Sequence, residues 1–156
     1  MKLEDAIKQK RFDNLRQKAV LNVMFTNNWL VGVQTRMLKP YGISLPQYNV
    51  LRILRGQYPN PANLGVLTER MLDRSSNASR LVERLRQKGF VNRTECPRDR
   101  RQVEVLITEK GLDLLKTLDG VQDEFADIFS SLTDAEVKTV SDLMEKMRSC
   151  CAEKYQ

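Results

Sequence analysis

The sequence contains no histidine. Its absence removes the commonest general base and makes Ser–His and Cys–His nucleophile pairs impossible. It also leaves Cys96, Cys150 and Cys151 without the partner that completes a mixed zinc site, and the adjacent pair Cys150-Cys151 has no ligand spacing. Three cysteines do not make a disulfide framework. No apolar run approaches the roughly 20 residues that span a bilayer. Met1-Lys2-Leu3-Glu4-Asp5 puts two acids where a signal peptide needs its apolar core. There is no Gly-rich phosphate loop, and no carboxylate pairing that the sequence alone makes catalytic. The expectation is a cytoplasmic protein that is not an enzyme and needs no metal or cofactor.

A chain of 156 residues, 41% of them apolar, can fill one domain core. The net charge of +6 is unevenly spread. Residues 70–101 alone carry 10 Lys/Arg against 4 Asp/Glu, whereas residues 102–156 carry 6 against 12. A concentrated basic segment is the footprint of a polyanion partner, although a solvated basic face has the same composition.

Helical spacing of Ala19, Val20, Val23, Met24, Trp29, Leu30, Val33 and Leu38 predicts a helix over most of residues 3–39, ended by Pro40-Tyr41-Gly42. Ser44 and Gln47 form a capping box that opens a second helix, with Tyr48, Val50, Leu51, Ile53 and Leu54 inward. After the loop Gln57–Pro61, Asn63 caps a short helix and Leu72-Asp73-Arg74 turns the chain. Ser75 or Ser76 then caps a helix running to about Lys88, and Gly89 ends it in a left-handed conformation. Its inward stripe is Ala78, Leu81, Val82 and Leu85. Its other face carries Ser76, Asn77, Ser79, Arg80, Glu83 and Arg84.

Two helices joined by a short turn, the second basic on its outer face, form a helix-turn-helix pattern. Arginine can pair with guanine, asparagine with adenine, and serine with a base edge or phosphate. The helix start near Ser75 and Ser76 also suits a phosphate. Phe90–Glu95 and Gln102–Ile107 are β-prone and flank a turn, 96–101, containing Arg98, Arg100 and Arg101. Such a basic hairpin tip suits a narrow minor groove. Asp99 at the tip either orients one of these arginines by a charge-assisted bond or is a turn residue. Thr108 caps a long helix to about Phe129, with Leu112, Leu115, Leu118, Val121, Phe125 and Ile128 along one stripe. Thr133 and Glu136 form a capping box for a last helix bearing Val137, Val140, Met144 and Met147. The first and last two helices read as a dimerisation layer.

The order of elements resembles the MarR (multiple antibiotic resistance regulator) family. The matching stretches are Pro40–Leu51, Ser79–Leu85 with Lys88–Arg93, Asp99-Arg100-Arg101, and Leu106–Gly111. The resemblance implies a mostly α fold with a small β-hairpin wing. It implies a single domain over 1–156, with a winged helix-turn-helix at about 44–108 and dimerisation helices at about 3–39 and 109–153. It further implies a homodimeric repressor on double-stranded DNA with a pseudo-palindromic operator, recognition helices about 34–36 Å apart, and release by a small aromatic or phenolic effector. Ser75, Ser76, Asn77, Ser79, Arg80, Arg84, Arg98, Arg100 and Arg101 are the expected DNA-binding residues, with Asp99 holding the wing. Trp29, Met37, Tyr48 and Arg52 are the candidate effector residues, each equally explicable as a core or dimer contact. Oxidation-sensing members carry a reactive cysteine near the N-terminus and zinc-dependent members use histidine, and this sequence has neither feature.

Two other readings share the fold. One is a redox-responsive regulator using Cys96, whose arginine neighbours lower a thiol pKa, or Cys150-Cys151. The other is a winged-helix interaction module that does not bind DNA. The three-arginine tip argues against the second.

Overall fold

The computed structural model describes residues 1–96 and 99–151; the side chains of residue 96, residues 99–102 and residue 151 lie outside that description. The order of elements is α1 (Leu3–Ala6), α2 (Leu15–Leu38), α3 (Leu45–Arg55), β1 (Ala62–Asn63), α4 (Leu64–Arg70), α5 (Ala78–Gln87), β2 (Val91–Cys96), β3 (Asp99–Ile107), α6 (Glu109–Ala126) and α7 (Asp134–Cys151). The chain divides into two compact units, Met1–Lys116 and Thr117–Gln156.

The helix expected over 3–39 is divided. Asn14 is extended and its side chain accepts the Gln17 amide at 2.8 Å. The Gln17 side chain in turn accepts the Asp13 amide at 3.0 Å. This reciprocal pair starts α2 afresh, because an Asx side chain offers the backbone a partner outside the helix ladder. A 3-10 turn, Lys39–Tyr41, ends α2, and Gly42 leaves it at φ 66°. Such a left-handed turn costs other L-residues roughly 1–2 kcal/mol.

Cap chemistry sets the next starts as expected. Ser44 and Gln47 exchange both bonds of a capping box, and the Asn63 side chain accepts the Val66 amide at 2.9 Å. At the end of α5 the Gly89 amide bonds Arg86 O and the Phe90 amide bonds Leu85 O, with Gly89 at φ 75°. This closing pattern requires a residue tolerant of positive φ, which glycine supplies.

The strands form an antiparallel sheet in the order β1-β3-β2. Ala62 opposes Val105 and Asn63 opposes Glu104, so the segment before α4 is a third strand and the sheet is more than a hairpin. On the other side Val91 opposes Ile107 and Arg93 opposes Val105. The register shifts between Glu95 and Cys96, and β3 already begins at Asp99. The turn expected over 96–101 is therefore shorter, with Arg100 and Arg101 on strand backbone.

The core of the first unit joins Val50, Leu51 and Leu54 of α3, Leu67 of α4, Val82 and Leu85 of α5, Val91 and Val105 of the sheet, and Leu115 of α6, all essentially without exposed area. Gly111 lets α6 approach the sheet. A Cβ there would lie 2.4 Å from Phe90 O and 2.7 Å from Ile107 Cγ1. Thr108 caps α6 by accepting the Gly111 amide at 3.2 Å.

In the second unit α6 continues into a 3-10 turn, Asp127–Phe129, which ends the helix slightly before the expected point. Thr133 and Glu136 then form the capping box of α7. No helix among the described residues is long and apolar enough to cross a membrane.

Candidate nucleic-acid interface

Helix α5 is placed by its apolar face. Ala78, Val82 and Leu85 are buried at positions four and three apart, which turns Ser79, Arg80 and Arg84 outward, where all three are exposed. Arg80 and Arg84 stand one turn apart, so both guanidinium groups project from the same face.

The start of α5 differs from the sequence expectation. Neither Ser75 nor Ser76 is the cap. Asn77 is extended, and its Oδ1 accepts the Arg80 amide at 3.0 Å. The two serines are engaged by Asp73 instead. Ser75 Oγ donates to its carboxylate at 2.6 Å, Ser76 Oγ at 2.8 Å and the Ser75 amide at 3.0 Å. These donors hold the Asp73 carboxyl below the ordinary carboxylate range, with the Ser75 hydroxyl as the largest cause. The Ser75 amide on the Asp73 carboxylate closes an Asx turn, which gives this backbone a partner outside the helix ladder, and the helix begins later, at the Asn77 cap. Asn77 therefore serves as the cap of α5. The amides of the helix's first turn accordingly follow Asn77 rather than Ser75 and Ser76.

Glu83 is the acidic member of the α5 surface. It accepts Arg86 Nη2 at 2.8 Å, Arg86 Nε at 3.1 Å and Gln87 Nε2 at 3.3 Å. Arg93 of β2 approaches it at 3.6 Å. The Arg86 guanidinium lowers the Glu83 carboxyl below its usual range. Lys88 donates to Gly42 O, tying the end of α5 to the start of α3. Neither the Glu83–Arg93 pair nor the Lys88 tie was read from the sequence. The spacing of Glu83 and Arg86 was visible, but the second partner arrives only after the Gly89 reversal.

Arg98 lies outside the described residues, as do the side chains of Asp99, Arg100, Arg101 and Cys96. The backbone places Arg100 and Arg101 on β3 near the tip. Cys150 is a free, exposed thiol on α7.

The four candidate effector residues lie on two helices, Trp29 and Met37 on α2 and Tyr48 and Arg52 on α3. Tyr48 is buried on α3, with the Arg52 guanidinium 5.9 Å from its ring centroid. Trp29 lines a separate recess of about 430 Å³ with Met1, Leu3, Asn22, Phe25 and Thr26. Met37 is half-buried near the end of α2. A smaller, mostly apolar cavity of about 290 Å³ lies between α2, the start of α3 and the turn before α5, and includes Val31, Leu45, Pro46, Asn49, Met71 and Asp73. The Asn49 side chain accepts the Leu72 amide at 3.0 Å there. No group of three metal-ligating side chains occurs among the described residues.

The arrangement is a helix-turn-helix with a β wing: α4, a turn, an outward basic α5, and the β2–β3 hairpin. Comparison with known proteins gives the same answer. The MarR family model matches residues 43–103. The HTH-type transcriptional repressor IacR of Pseudomonas putida is 28% identical over 70% of this chain, a stretch spanning 65% of IacR, slightly under two thirds of its length. The HTH-type transcriptional regulator MgrA of Staphylococcus aureus is 32% identical over 72% of this chain and 74% of its own. A MarR transcription factor from Planctomyces limnophilus superposes with a TM-score of 0.68 and is 32% identical, covering 86% of this chain and 98% of that one. Relatives that match at this level are transcription regulators rather than enzymes, and the chain belongs to the MarR family of winged helix-turn-helix, DNA-binding regulators.

Proposed function

We propose that the protein is a homodimeric repressor that reads a pseudo-palindromic operator with two copies of α5 and is released by a small aromatic or phenolic ligand. The observation that carries the reading is the division of α5. Its buried Ala78, Val82 and Leu85 fix its rotation, and Ser79, Arg80 and Arg84 are what it offers outward. Asn77 and Arg80 at the helix start reach base edges, Arg84 reaches the backbone, and Ser75 and Ser76 support phosphate contact through the turn. Arg98, Arg100 and Arg101 enter the adjacent minor groove, with Asp99 orienting them. Similarity to a protein named a repressor, IacR, supports the sign of regulation.

Dimerisation is supported by apolar surface that the protomer leaves in water. Val20, Met24, Trp29 and Val31 on α2, and Leu143 and Met147 on α7, are exposed. Release by ligand is supported by the 290 Å³ cavity beside Asp73. A phenol seated there donates to the Asp73 carboxylate, competes with Ser75 and Ser76, and loosens the turn that sets the start of α5. The pairing of Arg52 with Tyr48 and the Trp29 recess are alternative seats for the same ligand class.

The test is binding to duplexes from the region upstream of the chain's own gene, against scrambled duplexes, across a salt series. Tight, sequence-dependent binding with a steep negative slope of log K against log salt is expected. Binding that ignores sequence contradicts the reading.

A further inference from the structure

Glu83 is an unexpected residue on a surface that meets a polyanion. It sits on α5 three residues after Arg80 and directly before Arg84, where a carboxylate opposes phosphate. Its position is occupied by specific partners rather than by water alone. Arg86 grips it with two nitrogens at 2.8 and 3.1 Å, and Gln87 adds a third donor at 3.3 Å. Those three belong to the same helix. The third partner residue, Arg93 at 3.6 Å, belongs to β2, the first strand of the wing.

The surroundings explain what such a link can do. Beside it lies an open polar recess lined by Glu83, Arg86, Arg93, Thr94, Glu95 and Val103. On this side, helix and wing strand face each other across charged groups, with Val103 the single apolar lining residue. Arg93 itself is in register with Val105, a fully buried residue of β3, so its backbone is fixed by the sheet. A charge bridge from α5 to that fixed strand therefore acts on the angle between the recognition helix and the wing.

We propose that Glu83 is a positioning residue: its carboxylate, shared between Arg86 and Arg93, sets the wing strand β2 against α5 so that both fit one DNA surface, and keeps these two arginines from binding phosphate indiscriminately. The inference rests on the DNA-binding reading above. It has a consequence opposite in sign to simple charge counting. Removing a carboxylate near DNA should tighten binding to every duplex if only net charge matters. If Glu83 positions the wing, its removal frees Arg86 and Arg93 for non-specific phosphate contacts while the operator loses its fitted geometry. Discrimination then falls.

The experiment measures the ratio of scrambled-duplex Kd to operator Kd for wild type, Glu83→Ala, Arg93→Ala and the double variant, each over a salt series. Glu83→Gln, which keeps the volume and an acceptor oxygen but not the charge, substitutes wherever Ala does not fold. The expected result is a ratio lowered roughly three- to fivefold in each single variant, the scale of one partly exposed ion pair, and lowered no further in the double variant. Glu83→Ala should also steepen the salt slope on scrambled DNA. The double variant lacks the bridge between α5 and β2 but has the wild-type net charge, so a ratio restored to the wild-type value overturns the proposal. Unchanged ratios in both single variants overturn it as well. A wild type without operator preference overturns the DNA reading together with this inference, and is recognised because it appears before any substitution is made.

Discussion

Helices α5 and α2 both belong to the first unit, and they differ in how their apolar residues are arranged and covered. On α5, Ala78, Val82 and Leu85 are buried by the protomer itself. On the much longer α2, Leu38 at the very end is the buried residue, while Leu15 is 81% exposed and Met24 58%. Within the second unit α7 resembles α2, with Leu143 59% exposed. Burying such surface is worth roughly 25 cal/mol per Å². The protomer therefore covers the apolar face of α5 and leaves apolar surface of α2 and α7 in water, which is the surface that the proposed second copy would cover.

The comparison can be broken most forcefully on the covered helix. Leu85→Ala deletes a fully buried side chain and should cost about 2–5 kcal/mol, read from chemical denaturation. A loss below about 1 kcal/mol would mean that α5 is not held by its core face. Gly111→Ala comes next. The added methyl meets Phe90 O and Ile107 at contacts no Cβ tolerates, so a loss of about 1–3 kcal/mol is expected from overpacking.

Arg80→Ala probes the outward face of the same helix. It should leave the melting temperature in place and weaken operator binding by about tenfold or more, the scale of a lost base contact. On α2 the sign reverses. Val20→Glu combined with Met24→Glu should change protomer stability by less than about 0.5 kcal/mol, as expected for exposed sites. It should nevertheless shift sedimentation toward monomer and abolish cooperative operator binding. If the pair unfolds the chain instead, α2 is a core helix and the contrast with α5 fails.

The smallest effect concerns the turn before α5. The Asp73 carboxyl is held low by Ser75 and Ser76, so its folded-state pKa lies below the unfolded one. Its contribution is present at neutral pH, persists through the ordinary carboxylate range, and is lost only as pH falls through the depressed value, below about pH 4. Ser75 and Ser76 amide resonances followed by NMR should therefore stay constant between pH 5 and 8, and move at lower pH. Asp73→Asn should move them already at neutral pH.

What the sequence disclosed follows a physical rule. Starts governed by local cap chemistry were legible: Ser44 with Gln47, Asn63, Thr108, and Thr133 with Glu136 each satisfy an amide three residues away. The start of α5 was not, because Ser75, Ser76 and Asn77 are three competent caps in succession, and the choice falls to Asp73 outside the helix. Strand β1 is two residues long and exists only by pairing with Val105 and Glu104, more than 40 residues on, so it leaves no periodic signal. The break between α1 and α2 was hidden by the continuous apolar spacing beyond it. The outward residues of α5 were legible since periodicity fixes both faces at once. The effector residues were less so. Trp29, Tyr48 and Arg52 share suitable chemistry, but whether they share a cavity depends on helix packing, and Trp29 lines a recess apart from the Tyr48–Arg52 pair.

The central claim is that α5 is a reading head used in two symmetric copies. The most direct measurement is a hydroxyl-radical and methylation-interference footprint on an operator selected by the purified protein. The account predicts two protected major-groove half-sites related by a dyad, with centres about 10–10.5 base pairs apart, both lost in Arg80→Ala. A single protected half-site, or a symmetric footprint that survives Arg80→Ala unchanged, would contradict it.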